Sequence, residues 1–328
     1  MSRDSRSKLP RFQSSKDAIG YFEKNSRVKL CDLQAPRTNT ISWNCEGNRL
    51  ACGSSDRRIA IASFEVGGRL KCTYNGSPHD GSVEYVSFHK KDPNQFASAS
   101  TDKSVCIWDV RQPKTHTKVV TKGPNLYVNW SPCGKYLIFG DKDDKLSLID
   151  TRTYSPVKVH EFKVQVNEPA FHPCGEYIFV TTENGKLEVF KIPTLEHCMS
   201  VQAHAQQANC LAIAFNRDGS KMAIGGADGL CSIWNTEQII CERTLSRLDY
   251  PIRAISFSCD DKIIATGSED PFIDLAYVED GARVHELKTD SVTYSLAFHP
   301  KHMLLAYCAS LSERDKDAGL VKIFGYTT

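Results

Sequence analysis

The chain has 328 residues, with 41 Lys plus Arg against 39 Asp plus Glu, and its net charge of +2 gives no overall pull towards nucleic acid or anionic lipid. A composition 41% hydrophobic and 24% charged is that of a folded globular protein of one large domain or two. The longest apolar run, Met303 to Ala309, is far short of the roughly 18 residues a bilayer span needs, so no membrane partner is expected.

Residues 1–24 read as a basic arm, partly disordered or holding a short helix, and 25–328 as the folded body. Eight basic and three acidic side chains fall within residues 1–30. Arg3, Arg6, Lys8 and Arg11 are therefore candidates for weak, salt-sensitive RNA contact. Phe12, Ile19 and Phe22 can share one face of a helix capped by Ser14 or Ser15, and that face packs either on the body or on a partner. No apolar leader segment is present, the 13 cysteines include no C-x-x-C, and most lie among apolar neighbours. Free, buried thiols in a reducing compartment follow.

Arg27 to Leu33 alternates like a strand, and from there the chain repeats. An apolar strand closes on an aromatic at Trp43, Phe88, Trp130, Phe171, Phe215, Phe257 and Phe298, at intervals of 41 to 45 residues. Each aromatic is followed by a turn signal, among them Glu46-Gly47, Pro132-Cys133-Gly134, Pro173-Cys174-Gly175 and Asp218-Gly219. A second strand, a tight charged turn and a third strand come next, then a more variable fourth. One such meander cannot cover both of its faces, so seven of them must stack radially. The fold class expected is all-β, a seven-bladed β-propeller. Its third strand in the last unit, 320–324, ends the chain, so the strand at 27–33 should complete that blade and remove an exposed edge.

Ile107-Trp108-Asp109 and Ile233-Trp234-Asn235, each six residues past a turn aspartate, resemble the closing strands of WD40 repeats. The resemblance implies a hydrogen-bonded group of His79, Ser98, Asp102 and Trp108 in blade 2, with Ser100 as the alternative hydroxyl, and of His204, Asp228 and Trp234 in blade 5, where Ile224 stands in the serine's place. The other five blades lack a third-strand tryptophan and are expected to rely on apolar packing. Further runs, Ser246-Arg247-Leu248-Asp249-Tyr250-Pro251-Ile252-Arg253, Asn129-Trp130-Ser131-Pro132 and Val166-Asn167-Glu168, are similar to the WD40 subunits of the THO family. That likeness implies a nuclear, non-catalytic scaffold of the THO/TREX assembly acting in mRNA packaging and export. It also implies the other THO subunits as partners, a large helical one especially, with mRNA contacted indirectly or weakly.

No phosphate-binding loop, dinucleotide fingerprint, nucleophile elbow or zinc-protease motif occurs, so no catalytic residue, metal, cofactor or small-molecule substrate is assigned. The close pair His299 and His302 brackets a proline and reads as a turn. On the rim of blades 1 to 4, Arg57, Arg58, Lys103, Lys142, Lys145 and Lys186 are offset by Asp56, Asp102, Asp141, Asp143, Asp144 and Glu183. Two loops are candidates for partner binding. One is 246–253, with Arg247, Tyr250 and Arg253, or else a loop braced internally by Pro251 and Asp249; the other is the polar insertion at 309–318. Trp108-Asp109-Val110-Arg111 resembles the adaptor-docking motif of some WD40 substrate receptors of cullin-type ubiquitin ligases, the alternative function.

Overall fold

A computed structural model describes residues 10–31, 33, 38–65, 69–113, 116–289, 292–309 and 321–327. The expected arm residues Arg3, Arg6 and Lys8, and the insertion from 310 onward, lie outside the described residues. Seven four-stranded antiparallel sheets follow one another along the chain. Blade 7 begins the chain with β1 (Arg27–Cys31). Blade 1 is β2 (Thr38–Trp43), β3 (Arg49–Ser54), β4 (Ile59–Glu65) and β5 (Arg69–Gly76). Blade 2 is β6 (Val83–Phe88), β7 (Gln95–Ser100), β8 (Ser104–Asp109) and β9 (His116–Val120). Blade 3 is β10 (Asn125–Trp130), β11 (Tyr136–Asp141), β12 (Lys145–Asp150) and β13 (Ser155–Glu161). Blade 4 is β14 (Val166–Phe171), β15 (Tyr177–Thr182), β16 (Lys186–Lys191) and β17 (Glu196–Gln202). Blade 5 is β18 (Cys210–Phe215), β19 (Lys221–Gly226), β20 (Cys231–Asn235) and β21 (Ile240–Leu245). Blade 6 is β22 (Ala254–Phe257), β23 (Ile263–Gly267), β24 (Phe272–Tyr277) and β25 (Arg283–Lys288). Blade 7 closes with β26 (Thr293–Phe298), β27 (Leu305–Ala309) and β28 (Val321–Tyr326).

The ring is sealed as the alternation at 27–33 predicts. β1 lies antiparallel on β28, with Val28 opposite Phe324, Leu30 opposite Lys322 and Cys31 opposite Val321. The strand ends at Cys31, and Leu33 is instead buried beside blade 1. Second strands are buried almost throughout, whereas the fourth strands of blades 3, 4 and 5 are largely exposed. The core is thus a set of seams between neighbouring sheets. Ile59 and Ile61 of blade 1, for example, pack on Val83, Val86, Phe96 and Trp108 of blade 2. Apolar area removed from water at these seams drives closure. All 13 cysteines are unpaired, and burial pushes Cys106, Cys210 and Cys308 up to about 12, so these behave as small apolar groups.

One helix, α1 (Ser15–Lys24), precedes the ring. The Ser14 hydroxyl accepts the Asp17 amide and the Asp17 carboxylate accepts the Ser14 amide, a reciprocal cap. The helix packs on this chain's own ring. Phe22 is fully buried and stacks on Phe324 with centroids 5.6 Å apart. The buried face is Phe12, Ala18 and Phe22; Ile19 is only half-buried, because residues 18 and 22, one turn apart, already occupy the inward stripe.

Candidate functional site

Loops leading into the first strands, together with the turns between second and third strands, form one rim, and the predicted polar groups sit there. In blade 2, His79 Nδ1 lies 3.0 Å from Asp102 Oδ2 and its Nε2 lies 2.8 Å from Ser98 Oγ. The Trp108 indole donates to that same oxygen at 2.9 Å. Although burial works against it, hydrogen bonds from Ser104, His79 and the Asp80 amide hold the Asp102 carboxyl well below the usual range. In blade 5 the structure brings His204, Asp228 and Trp234 together through a residue missing from the expected set. His204 Nδ1 is 3.0 Å from Asp228 Oδ2, while Ser232 Oγ accepts the Trp234 indole at 2.8 Å and meets His204 Nε2 at 2.9 Å. The strand pairing explains the exchange. Ser98 stands opposite Cys106 in blade 2, and Ile224 opposite Ser232 in blade 5, so the hydroxyl has crossed the same rung to the third strand.

The loop 246–253 is fixed from within, though not by Asp249. Buried Asp270 accepts the Asp249 amide at 3.1 Å and the Tyr250 amide at 3.2 Å, as Asp102 accepts the Asp80 amide in blade 2 at 3.1 Å. Arg247 is turned inward. Its Nε and Nη2 reach the buried Asp274 carboxylate at 2.9 and 2.7 Å, and Nη1 donates to the Gly281 carbonyl at 2.8 Å. Arg283 Nε also reaches Asp274, at 3.1 Å; a buried carboxylate needs such partners, so Arg247 is committed to the fold and is not offered to a partner. Tyr250, 51% exposed, and Arg253, exposed and 3.4 Å from Glu269, remain outward.

At the opposite rim, formed by turns after the first strands, a contact the sequence did not announce joins blades. His299 Nε2 donates to the Gly47 carbonyl at 2.8 Å, and its Nδ1 accepts the amides of Lys301 and His302, each at 3.0 Å. His172 likewise donates to the Gly219 carbonyl of the next blade at 3.0 Å. His89 packs on Trp130 with centroids 4.8 Å apart and accepts the Lys91 and Asp92 amides. Gly47 and Gly134 have φ of +74° and +76°, and a Cβ there would lie 2.2 and 1.9 Å from His299 and His89. Burial lowers His89 and pushes His299 down to about 4. Two tryptophans outside the third strands tie the seams as well. Trp43 donates to the Ala297 carbonyl at 3.2 Å and Trp130 to the Ser87 carbonyl at 3.0 Å.

Ser200, His197 and Glu188 meet on the outer face of blade 4, but serine and carboxylate both approach the same ring nitrogen, Nε2. A base cannot relay a proton in that arrangement, since the carboxylate must hold the opposite nitrogen. Among the described residues no cluster of three His, Cys, Asp or Glu side chains could hold a metal ion, and no helix is long and apolar enough to cross a membrane. Several rim charges are used locally. Arg58 pairs with Asp56 at 3.2 Å, Asp141 accepts the Asp143 and Lys145 amides, and Asp144 accepts the Val166 amide. Arg111, exposed, forks back onto Asp109 at 2.9 and 3.1 Å. Exposed Arg11 precedes the helix.

Comparison with known proteins places these features. The model of the WD domain, G-beta repeat, matches residues 69–109, 195–235 and 240–273. THO complex subunit 3 of Arabidopsis thaliana is 34% identical over 88% of this chain and 92% of its own length. The WD repeat-containing protein AAC3 of Dictyostelium discoideum is 29% identical, covering 95% of this chain and 67% of that protein. Among solved structures, the β-propeller domain of Cps50 (Swd1) from Myceliophteria thermophila superposes with a TM-score of 0.78 at 16% identity, over 92% of this chain and 100% of that one. It shares the fold.

Proposed function

The chain belongs to the THO complex subunit 3 family, and we propose from this that it is a non-catalytic scaffold subunit of a nuclear THO/TREX assembly, coupling transcription to mRNP assembly and mRNA export. One observation carries the proposal: the similarity covers 88% of this chain and 92% of the relative, well beyond the three stretches matched by the WD repeat model. The partner surface is the rim that presents Tyr250 and Arg253 on a backbone pinned by Asp270, and a large helical subunit docks there. An aromatic held at low entropic cost is the usual anchor of such contacts. RNA is touched weakly, through Arg3, Arg6, Lys8 and Arg11. The cullin-receptor alternative has less support, because Arg111 is engaged by Asp109.

Affinity purification of the tagged chain from nuclear extract tests the proposal. THO subunits should co-purify with wild type and be depleted by Tyr250→Ala, while a cullin adaptor in their place would support the alternative.

A further inference from the structure

The central channel narrows around an acidic residue. At the rim carrying Tyr250 it opens as a funnel of about 600 Å³, the size of a small-ligand cavity. At its floor, Glu168 Oε1 accepts the Tyr85 hydroxyl at 2.7 Å and Oε2 accepts the Ile213 amide at 3.0 Å. Tyr85 belongs to blade 2 and Glu168 to blade 4, so this bond passes blade 3 and spans the channel. Each carboxylate oxygen uses one bond of the two it can accept. The first strands of blades 2 and 3 are bulged at their starts, between Val83 and Tyr85 and between Asn125 and Tyr127. The bulged stretches bring Tyr85 and Tyr127 into the lining with centroids 5.9 Å apart. Tyr294 of blade 7, 42% exposed, stands at the mouth. Glu84 adds a second carboxylate, and the one cation among the described lining residues, Arg253, is drawn to Glu269.

We propose that this funnel is a socket for a single arginine side chain of a partner protein, with Glu168 as its counter-ion and Tyr85, Tyr127 and Tyr294 around it. A guanidinium suits both halves of the site: its planar fork matches a carboxylate with free lone pairs, and its faces stack on aromatic rings. Burial pushes the Glu168 carboxyl up to about 7. A seated cation favours the ionised form, so binding tightens as pH rises through that value. The groups facing Glu168 are Glu84 and Tyr85 from β6, Tyr127 from β10, Arg253 before β22 and Tyr294 from β26; β2 and β18 contribute Asn39, Thr40 and Leu211, which do not titrate.

The test uses the full chain with ring-labelled tyrosines, titrated by NMR with the blocked peptide Gly-Arg-Gly and its citrulline and lysine counterparts. Saturable shifts are expected for the arginine peptide alone, with a dissociation constant on the order of 1 mM. Glu168→Gln should weaken binding about tenfold or more and remove its dependence on pH, and Tyr294→Ala, at an exposed position, should weaken it without touching the fold. No saturable shift, equal binding of citrulline or lysine, or an unchanged pH profile in Glu168→Gln would overturn the proposal. Co-purification of THO subunits is a separate readout, so failure of the socket leaves the assembly proposal standing.

Discussion

Acidification should loosen the seam between blades 7 and 1 through His299. The imidazole is 2% exposed, donates to Gly47, and takes two amides on its other nitrogen, so the folded state has no place for a second proton. Its ordinary value of 6.5 falls to about 4. A group depressed in this way contributes stability that is fully present above 6.5 and is lost as pH falls through 4. Between about pH 7 and about pH 5 the unfolded imidazole gains most of a proton that the folded one refuses, which is worth about 2 kcal/mol. Urea unfolding of wild type and His299→Ala at both pH values isolates this contribution, because the other titrating groups cancel in the difference. The variant should be less stable at the higher pH, and the gap should shrink by about 2 kcal/mol at the lower one. His302, whose ring lies 4.7 Å away and whose own value is lowered by burial, titrates with His299. A His302→Asn background therefore assigns the effect. A gap that stays constant with pH would refute the neutral latch.

Further outcomes follow from packing. Arg247→Ala should cost about 1–3 kcal/mol, measured by denaturant unfolding, because the buried Asp274 carboxylate loses its two-nitrogen partner and keeps only Arg283 Nε at 3.1 Å; Tyr250→Ala should change stability by less than about 0.5 kcal/mol. Ser232→Ala should destabilise by about 1–3 kcal/mol, since His204 and Trp234 lose one shared partner, whereas Ile224→Ser, which moves a hydroxyl to the other side of that rung, should restore part of it in the double variant. Phe22→Ala should cost about 3–5 kcal/mol and expose the Phe324 face to proteolysis of the preceding arm.

Local periodicity made the architecture legible. Closing aromatics and turn residues recur within each blade, and a strand at 27–33 had to go somewhere once the last unit was one strand short. Contacts between blades were harder to see. His89, His172 and His299 each follow a closing aromatic directly, at Phe88, Phe171 and Phe298, and the glycine each one meets stands in a predicted turn of the next blade. The signal was present, but only the stacking geometry joins its halves. Ser232 was missed because a spacing rule fixes the strand on which the hydroxyl sits, while chemistry needs only the rung. Arg247 looked like an anchor by loop composition; the opposing sign was Asp274, a carboxylate inside the apolar run 272–276, and its meaning depends on a partner 27 residues away. Glu168 lies in a run similar to the THO family, but nothing in the sequence marks it as a channel carboxylate, since the channel that raises its pKa is built by all the blades together.

The central claim, that both ends of the chain fasten one sheet, is tested most directly by cross-linking. Leu30 and Lys322 face each other across the β1–β28 ladder. Leu30→Cys with Lys322→Cys, in a background whose exposed native thiols are replaced, should form an intramolecular disulfide in the native monomer, whereas Lys29→Cys with Lys322→Cys, one residue out of register, should not. Disulfides found only between molecules, or formed equally by the offset pair, would contradict the closure.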